Sequence, residues 1–321
     1  MNHNELTNID SADLHARQDE ATRVLIAEDD AMYRRILESW LEQWGFPTIF
    51  AKDGEQAWDL LQQEPQAQLL IVDWVMPKVD GIELCRRIRQ RQQGSYRYVL
   101  LVTGKEEKRN VVQGLEAGAD DYLTKPFDRN ELRARIRVGK RILSLQRDLI
   151  LAREELLFRA THDALSGVWN RGALLDAFRR ELERAARFQS PTAVLMIDVD
   201  HFKKVNDSRG HLTGDIVLRE IVNRMQKAVR PYDLVGRFGG EEFLIVLPGC
   251  DRNQARDSAE RIRLAVADAP VLANGSEFPV TISIGVAVTA PGDTSESEVL
   301  SSADTAMYRA KSAGRNCTVT L

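Results

Sequence analysis

The sequence predicts two α/β domains in tandem, the first a doubly wound parallel sheet, joined by one long helix. Three observations lead there. The chain has 321 residues, a length that suits about two domains. From Arg23 onward, short apolar runs alternate with helical patterns, the order that builds a parallel sheet covered by helices on both faces. Between the halves, Leu132–Leu157 contains no proline and one glycine, so a continuous helix can run through it.

The composition, 43% hydrophobic and 29% charged, is that of a protein with real cores. A formal net charge of −4 argues against a dedicated nucleic-acid binder, which would carry a basic face. No apolar run approaches the roughly 20 residues that span a bilayer, so no membrane insertion is expected. Met1–Thr22 is polar, lacks the apolar core of a secretory signal, and is expected to be a flexible leader. Cys85, Cys250 and Cys317 are isolated and lack metal-ligand spacing, which suits reduced thiols in a cytoplasm.

Five strands are predicted in the first half: Val24–Ala27, Thr48–Ala51, Leu69–Val72, Tyr98–Val102 and Asp121–Leu123. Leu69–Val72 is apolar at both alternating positions, as a strand covered on both faces must be. Function in such sheets sits at the carboxyl ends of the strands, and polar residues gather there. Glu28 and Asp29 follow the first strand, Asp73 closes the third, Thr103 follows the fourth, and Lys125-Pro126 follows the fifth. Three carboxylates at one edge make a hard, oxygen-rich site suited to Mg²⁺. A carboxylate beside that ion can attack a phosphoryl group while a lysine balances the added charge. Taken singly, Asp73 reads as a strand-end cap and Thr103 and Lys125 say little; at successive strand ends they describe one site.

This pattern resembles the receiver domain of response regulators, a flavodoxin-like fold, over residues 23–137. The resemblance implies that Asp73, in Val72-Asp-Trp-Val-Met-Pro77, accepts a phosphoryl group from a sensor histidine kinase. It implies Mg²⁺ held by Glu28, Asp29, Asp73 and the Val75 carbonyl, and a switch made of Thr103, Tyr122 and Lys125. Asp30 also follows the first strand, but its spacing to Arg34-Arg35 favours Glu28 and Asp29. Tyr122 has a plainer reading as packing at a strand edge.

The connector, residues 138–160, carries Val138, Ile142, Leu145, Leu149, Ala152 and Leu156 at spacings of 4, 3, 4, 3 and 4. That is a coiled-coil seam of under three heptads. So short a seam holds two chains weakly, which suits a junction whose pairing answers another event. A homodimer, or a higher oligomer, is expected. The alternative is an amphipathic helix packed on its own domain.

In the second half, residues 161–321, the apolar strand Ala193–Ile197 runs into Asp198-Val199-Asp200. Further on, Asp233–Phe238 and Phe243–Leu247 read as a hairpin whose tip is Gly239-Gly240-Glu241-Glu242. The two glycines are expected to supply free φ angles and to let a phosphate approach the backbone. Two strand ends bearing carboxylates beside such a turn suggest a site for magnesium and a nucleoside triphosphate.

Gly239–Phe243 resembles the signature loop of the GGDEF domain of diguanylate cyclases, in its Gly-Gly-Glu-Glu-Phe form. Four more segments carry the resemblance: Asp163–Arg171, Asp198–Asp207, His211–Asp215 and Tyr308–Asn316. It implies an α/β domain with a palm-like, mainly antiparallel sheet. The reaction implied is condensation of two GTP into cyclic di-GMP with release of two pyrophosphates. By correspondence Asp198, Glu241, the Val199 carbonyl and Glu242 hold Mg²⁺, with Mn²⁺ as an alternative, and Glu241 helps deprotonate the attacking hydroxyl. Asn206 and Asp215 correspond to guanine readers. The physics agrees, because guanine offers N1–H and N2–H to a carboxylate, whereas adenine would leave Asp215 unpaired. Phe202, Lys203, Gly239, Gly240, Lys311 and Arg315 fall around the phosphates. Asp200 reads as a structural cap, and Asp207 and His211 as turn-building residues.

Arg230-Pro-Tyr-Asp233, with five residues between it and Gly239, matches the site at which product inhibits diguanylate cyclases, with Arg261 as its secondary arginine. Arginine suits phosphate and the Hoogsteen edge of guanine. Three other readings stay open at this level: a nucleotide-binding domain without catalysis, an interaction protein driven by its receiver, and a single-nucleotide cyclase producing cyclic GMP.

Overall fold

The computed structural model describes residues 23–91, 96–104, 111–289 and 295–321; the expected leader, 1–22, lies outside them. The chain divides into two compact units between Arg153 and Glu154.

The N-terminal unit contains β1 (Arg23–Ala27), α1 (Ala31–Gln43), β2 (Thr48–Ala51), α2 (Gly54–Gln63), β3 (Ala67–Asp73) and α3 (Gly81–Gln90). It continues with β4 (Tyr98–Thr103), α4 (Val111–Glu116), β5 (Asp121–Thr124) and the start of α5 (Arg129–Thr161). The strands are all parallel and ordered β2-β1-β3-β4-β5, the flavodoxin-like order. Side chains alternate as a two-faced sheet requires. Leu70 and Val72 of β3 enter one core with Ala57, Leu84 and Ile88, while Leu69 and Ile71 enter another with Leu37, Leu41 and Ile136. The helices start on side-chain caps: Asp30, Asp53 and Asp80 each accept amide hydrogen bonds from the first turn that follows.

The 33 residues of α5 form one uninterrupted helix, as the absence of proline predicts. Its first turns pack on β4, where Gly139 leaves room for Tyr98, whose ring would lie 2.6 Å from a Cβ there. That packing extends to Leu143. Of the seam residues, Ile142 is partly buried against the same core, whereas Val138, Leu145, Leu149, Ala152 and Leu156 are exposed on the chain by itself.

The C-terminal unit contains α6 (Arg171–Phe188), β6 (Thr192–Val199), α7 (Phe202–Arg209), α8 (His211–Ala228), β7 (Leu234–Arg237) and β8 (Glu242–Pro248). Then follow α9 (Arg252–Ala267), β9 (Val271–Ala273), β10 (Ser276–Phe278), β11 (Ile282–Val288), α10 (Glu296–Ser312) and β12 (Thr318–Thr320). The main sheet runs β12-β11-β6-β8-β7 and is antiparallel except for the β11–β12 pair. β6 is fully buried: Leu195 and Ile197 face a core with α8 and α9, and Val194 and Met196 face one with α6 and α10. β7 and β8 pair from Leu234↔Val246 to Arg237↔Phe243, so the expected hairpin forms with its tip at 238–241.

Candidate functional site

At the receiver edge, β1 and β3 are parallel neighbours, so their carboxyl ends coincide. One carboxylate oxygen from each of Glu28, Asp29 and Asp73 lies within 4.8 Å of the others, the single such three-acid group among the described residues. Lys125, at the end of β5, places Nζ 2.9 Å from Glu28 Oε1 and 2.9 Å from Asp73 Oδ2. Glu28 is buried, and its Oε2 lies 2.7 Å from the same Nζ without an aligned hydrogen bond. Burial, aided by the Asp73 charge, pushes the Glu28 carboxyl up to about 7 against the pull of Lys125. Burial also raises Asp73, although Lys125 and the Trp74 amide draw it down. Burial works to lower the Lys125 ammonium, but its bonds to Glu28 and Asp73 outweigh that and hold it above the ordinary lysine value. Three acids against one lysine leave an excess of hard anionic oxygen, which fits a divalent cation.

The remaining receiver residues lie on the same sheet edge or beside it. Thr103 is fully buried at the end of β4, with its hydroxyl donating to the Gly104 carbonyl at 3.2 Å. Tyr122, in β5, is half-buried beneath the Arg135 guanidinium, 5.7 Å from the ring centre. Val75 is exposed. Asp30 is occupied elsewhere: Oδ1 caps α1 by accepting from the Met32 and Tyr33 amides at 2.7 and 3.2 Å.

In the C-terminal unit, the β6–β8 register sets Asp198 opposite Glu242, and the Val199 amide donates to the Glu241 carbonyl at 3.2 Å. Asp198 is buried and its Oδ2 meets Lys311 Nζ at 2.7 Å. Burial raises the Asp198 carboxyl, with Asp200 adding to it and Lys311 and Arg315 opposing. Glu241 is raised by burial and by the charge of Asp198, with Lys311 opposing. Asp198, Glu241, Lys311 and Arg315 thus share one field at one end of the sheet. The donor set again suits a hard cation, since Asp198 is close enough to Glu241 for its charge to raise that carboxyl.

The signature glycines behave differently from expectation. Neither Gly239 nor Gly240 has a positive φ. The Phe238 and Gly239 amides both donate to the Glu242 carbonyl, at 2.8 and 3.2 Å, and that closure is made with ordinary backbone angles. A Cβ at Gly239 would lie 2.6 Å from Glu242 Oε2, the movable end of a side chain, and 3.6 Å from the next nearest atoms, so size alone does not demand glycine there. At Gly240 a Cβ would meet nothing within 4 Å, so the backbone there is open to approach.

The predicted base readers flank the α7–α8 corner. Asn206 belongs to α7 and Asp215 to α8. Asn206 Oδ1 is buried without a hydrogen-bond partner, and Gly214 lacks the Cβ that would collide with it. An unpaired buried acceptor is costly, so this oxygen is suited to receive a donor from a ligand. Phe202 is buried in the core, whereas Lys203 and Arg315 are exposed. Asp200 is a structural cap, accepting from Thr281 Oγ1, Ser283 Oγ and the Asn316 amide at 2.7, 2.7 and 2.9 Å.

One contributor escaped sequence reasoning. Arg237, the last residue of β7, donates to the Gly239 carbonyl at 3.2 Å and to the Gly240 carbonyl at 3.1 and 2.6 Å. Its other nitrogen reaches both oxygens of Asp163, at 3.0 and 3.3 Å. Burial works to raise Asp163, but Ser166 and Arg237 outweigh it and hold the carboxyl below its usual range. Asp163 opens a segment that the sequence singles out, yet no local pattern tells that it meets a residue 74 positions away.

At the Arg-x-x-Asp turn, Asp233 Oδ2 accepts from the Arg230 amide at 2.7 Å, while Oδ1 is buried and unpartnered. The Arg230 guanidinium turns to the Tyr232 hydroxyl at 3.2 Å and to Cys250 Sγ at 3.6 Å. Arg261 donates to the Ala228 carbonyl at 2.9 Å and to Ser258 Oγ at 3.3 Å.

Comparison with known proteins matches each unit to a family. Residues 160–317 match the family model described as diguanylate cyclase, GGDEF domain, and residues 24–137 match that of the response regulator receiver domain. Over 303 residues the chain is 36% identical to response regulator PleD of Caulobacter vibrioides, covering 92% of this chain and 65% of PleD. It therefore spans just under two thirds of that relative's length. Among solved structures, the diguanylate cyclase SiaD of Pseudomonas aeruginosa, in complex with its activator SiaC, is 38% identical. That match covers 60% of this chain and 72% of SiaD with a TM-score of 0.50. The coiled coil and GGDEF domain of DgcB from Caulobacter crescentus, in complex with c-di-GMP, is 28% identical, covers 59% of this chain and 99% of that one, and has a TM-score of 0.53.

Proposed function

Because the chain belongs to the GGDEF family of diguanylate cyclases and carries a response regulator receiver domain, we propose that it condenses two GTP into cyclic di-GMP under receiver control. The observation that carries this reading is the convergence of Asp198, Glu241 and Lys311 at the β6 end, beside the open backbone of Gly240. In each half-reaction a 3′-hydroxyl attacks the α-phosphate of the other nucleotide, a P–O bond forms, and pyrophosphate leaves. Such transfer leans on positioning and charge neutralisation.

Asp198, Glu241 and the Val199 carbonyl would hold Mg²⁺, which would neutralise phosphate charge, and Glu242 stands next to them. The raised carboxyl of Glu241 makes it a better base for the attacking hydroxyl than an ordinary glutamate. Lys311, Lys203 and Arg315 supply cations for the triphosphate, and Asn206 and Asp215 select guanine. One loop serves one nucleotide, so two chains must face one another, and the exposed seam of α5 is the surface that pairs them.

In the receiver, Asp73 accepts the phosphoryl group from a histidine kinase; Glu28, Asp29, Asp73 and the Val75 carbonyl would hold Mg²⁺, which would neutralise phosphoryl charge there. Lys125 and Thr103 would then contact the phosphoryl oxygens, and Tyr122 reports the change. Cyclic di-GMP returns to Arg230, Asp233 and Arg261 as a feedback inhibitor. The test is incubation of the purified chain with GTP and Mg²⁺, followed by chromatography and product mass. Cyclic di-GMP is expected, with none from Glu241→Ala; cyclic GMP, or no product from the wild type with a phosphoryl mimic, would overturn the reading.

A further inference from the structure

The β9–β10 hairpin takes no part in the chemistry above, yet it grips the corner that carries Asn206 and Asp215. Its turn is Asn274-Gly275, with φ of 50° and 75°. Both values are positive, the backbone that Asn-Gly favours in a two-residue hairpin turn. From that turn the Asn274 side-chain amide donates to Thr213 Oγ1 at 3.0 Å. Thr213 is buried in the first turn of α8, and its own hydroxyl donates to the Arg209 carbonyl at 2.9 Å, the last residue of α7. A second grip lies at the far end of the hairpin, where the Arg209 guanidinium covers the Phe278 ring at 4.6 Å.

Between the two helices stands Gly210 alone, with φ 82° and ψ 159°, a conformation that side-chain-bearing residues rarely adopt. The Gly210 amide donates to the Asn206 carbonyl at 2.8 Å and its carbonyl accepts from the Thr213 and Gly214 amides at 3.2 and 3.3 Å, so the geometry of this joint fixes where α8 starts relative to Asn206. Beside α7 lies an open cavity of about 330 Å³, lined by His201, Lys204, Ser208, Arg209 and Thr281 among others. That side of α7, with His201, Lys204, Ser208 and Arg209, is exposed, while Val205 packs against the core. The angle between α7 and α8, and with it the spacing of Asn206 from Asp215, is set by their shared core, where Phe202 and Val205 pack with Val217 and Leu218, and by what else spans the corner. The Asn274–Thr213–Arg209 relay is such a span.

We infer that Asn274 is a positioning residue for base recognition, acting through Thr213 to hold Asn206 and Asp215 at the spacing that fits guanine. The inference rests on the reading of those two residues as guanine readers. Asn274 touches no substrate atom; it acts through the helix corner.

The test uses the full chain with Mg²⁺ and steady-state kinetics on GTP and on inosine triphosphate, which lacks the exocyclic amine. Asn274→Gly keeps a residue that tolerates the turn and removes only the amide. It should raise KM for GTP roughly five- to tenfold, the worth of one hydrogen bond in a binding site, with kcat within about twofold because the reacting groups are untouched. The preference for GTP over inosine triphosphate should fall by a similar factor. Thr213→Val should do the same, Thr213→Ser should restore wild-type values, and the double variant Asn274→Gly/Thr213→Val should be no worse than Thr213→Val. A wild-type KM and base preference in Asn274→Gly would overturn the inference, as would an equal rise in KM for both nucleotides. Asp215→Asn is the control for the underlying reading: an unchanged GTP preference there sinks the guanine assignment itself. A lowered preference in Asp215→Asn with none in Asn274→Gly sinks only the role of the hairpin.

Discussion

Replacing Arg237 by alanine tests whether the signature loop is held in place by a distant clamp. Arg237 and Asp163 have side chains 18% and 24% exposed, so water screens the pair only in part. The substitution removes the donor to two loop carbonyls and leaves the Asp163 carboxylate with only Ser166 as partner. Hydrogen bonds to charged groups contribute about 1.5–3 kcal/mol each when well buried. Discounted for partial exposure and for water replacing some of them, the loss should be about 2 kcal/mol. For a unit of this size that lowers the melting temperature by roughly 4–8 °C. The effect on turnover should be larger. Glu241 rides on the freed loop, and a displacement of about 1 Å at a reacting centre costs on the order of 100-fold in rate. Arg237→Lys keeps a charge for Asp163 but lacks the fork that serves both carbonyls, so it should fall between. The assay is cyclic di-GMP formation at saturating GTP, run beside a thermal melt. A variant that melts lower yet keeps kcat within about twofold would refute the clamp's part in catalysis and leave it a structural bond only.

Glu28 links stability to pH. Its carboxyl holds a proton up to about 7 in the folded chain against 4.5 as its ordinary value. The folded state therefore binds more protons between those two values, so stability present below pH 4.5 is lost as pH rises to about 7. Denaturant melts of the full chain at pH 5 and 7.5 should show this fall, and Glu28→Gln should flatten it; an unchanged slope in the variant would refute the assignment. Asp73→Asn should remove any increase in turnover or dimer content on adding beryllofluoride, measured by product assay and sedimentation, whereas a retained response would show that another group accepts the phosphoryl mimic. Asp233→Asn keeps the turn's shape but withdraws the buried carboxylate from a bound base. It should weaken inhibition by cyclic di-GMP at least tenfold, the worth of a charged hydrogen bond; undiminished inhibition would place the product elsewhere.

Most of the architecture was legible because burial imposes local periodicities. Leu69–Val72 reads as a doubly covered strand since both of its faces meet helices, and α5 reads as a helix since nothing between Leu132 and Leu157 interrupts it. The acids were legible for a related reason. One carboxylate at the end of an apolar strand reads as a cap, as Asp200 proves to be, but acids and a lysine recurring at successive strand ends describe a site; Asp73 and Asp198 are both buried at strand ends beside a lysine. The signature turn was legible as a hairpin but not in its backbone, since an Asx-free Gly-Gly pair fits several turn geometries and the Glu242 carbonyl selects among them.

Local sequence carries the two domain types, the strands, and the residues able to bring charge to each site. Which of them act together is set by the tertiary fold. It turned Asp200 away into a bonding network with Ser283 and Thr281, set Lys311 on Asp198, brought Asp163 under Arg237, and laid Asn274 on Thr213. These partners are far apart along the chain, and each meets the other through the order of strands in a sheet or the docking of a hairpin on a helix corner. Strand character is written in a few neighbouring side chains, whereas a pairing depends on the lowest free energy of the whole packed unit, and so no local pattern records it.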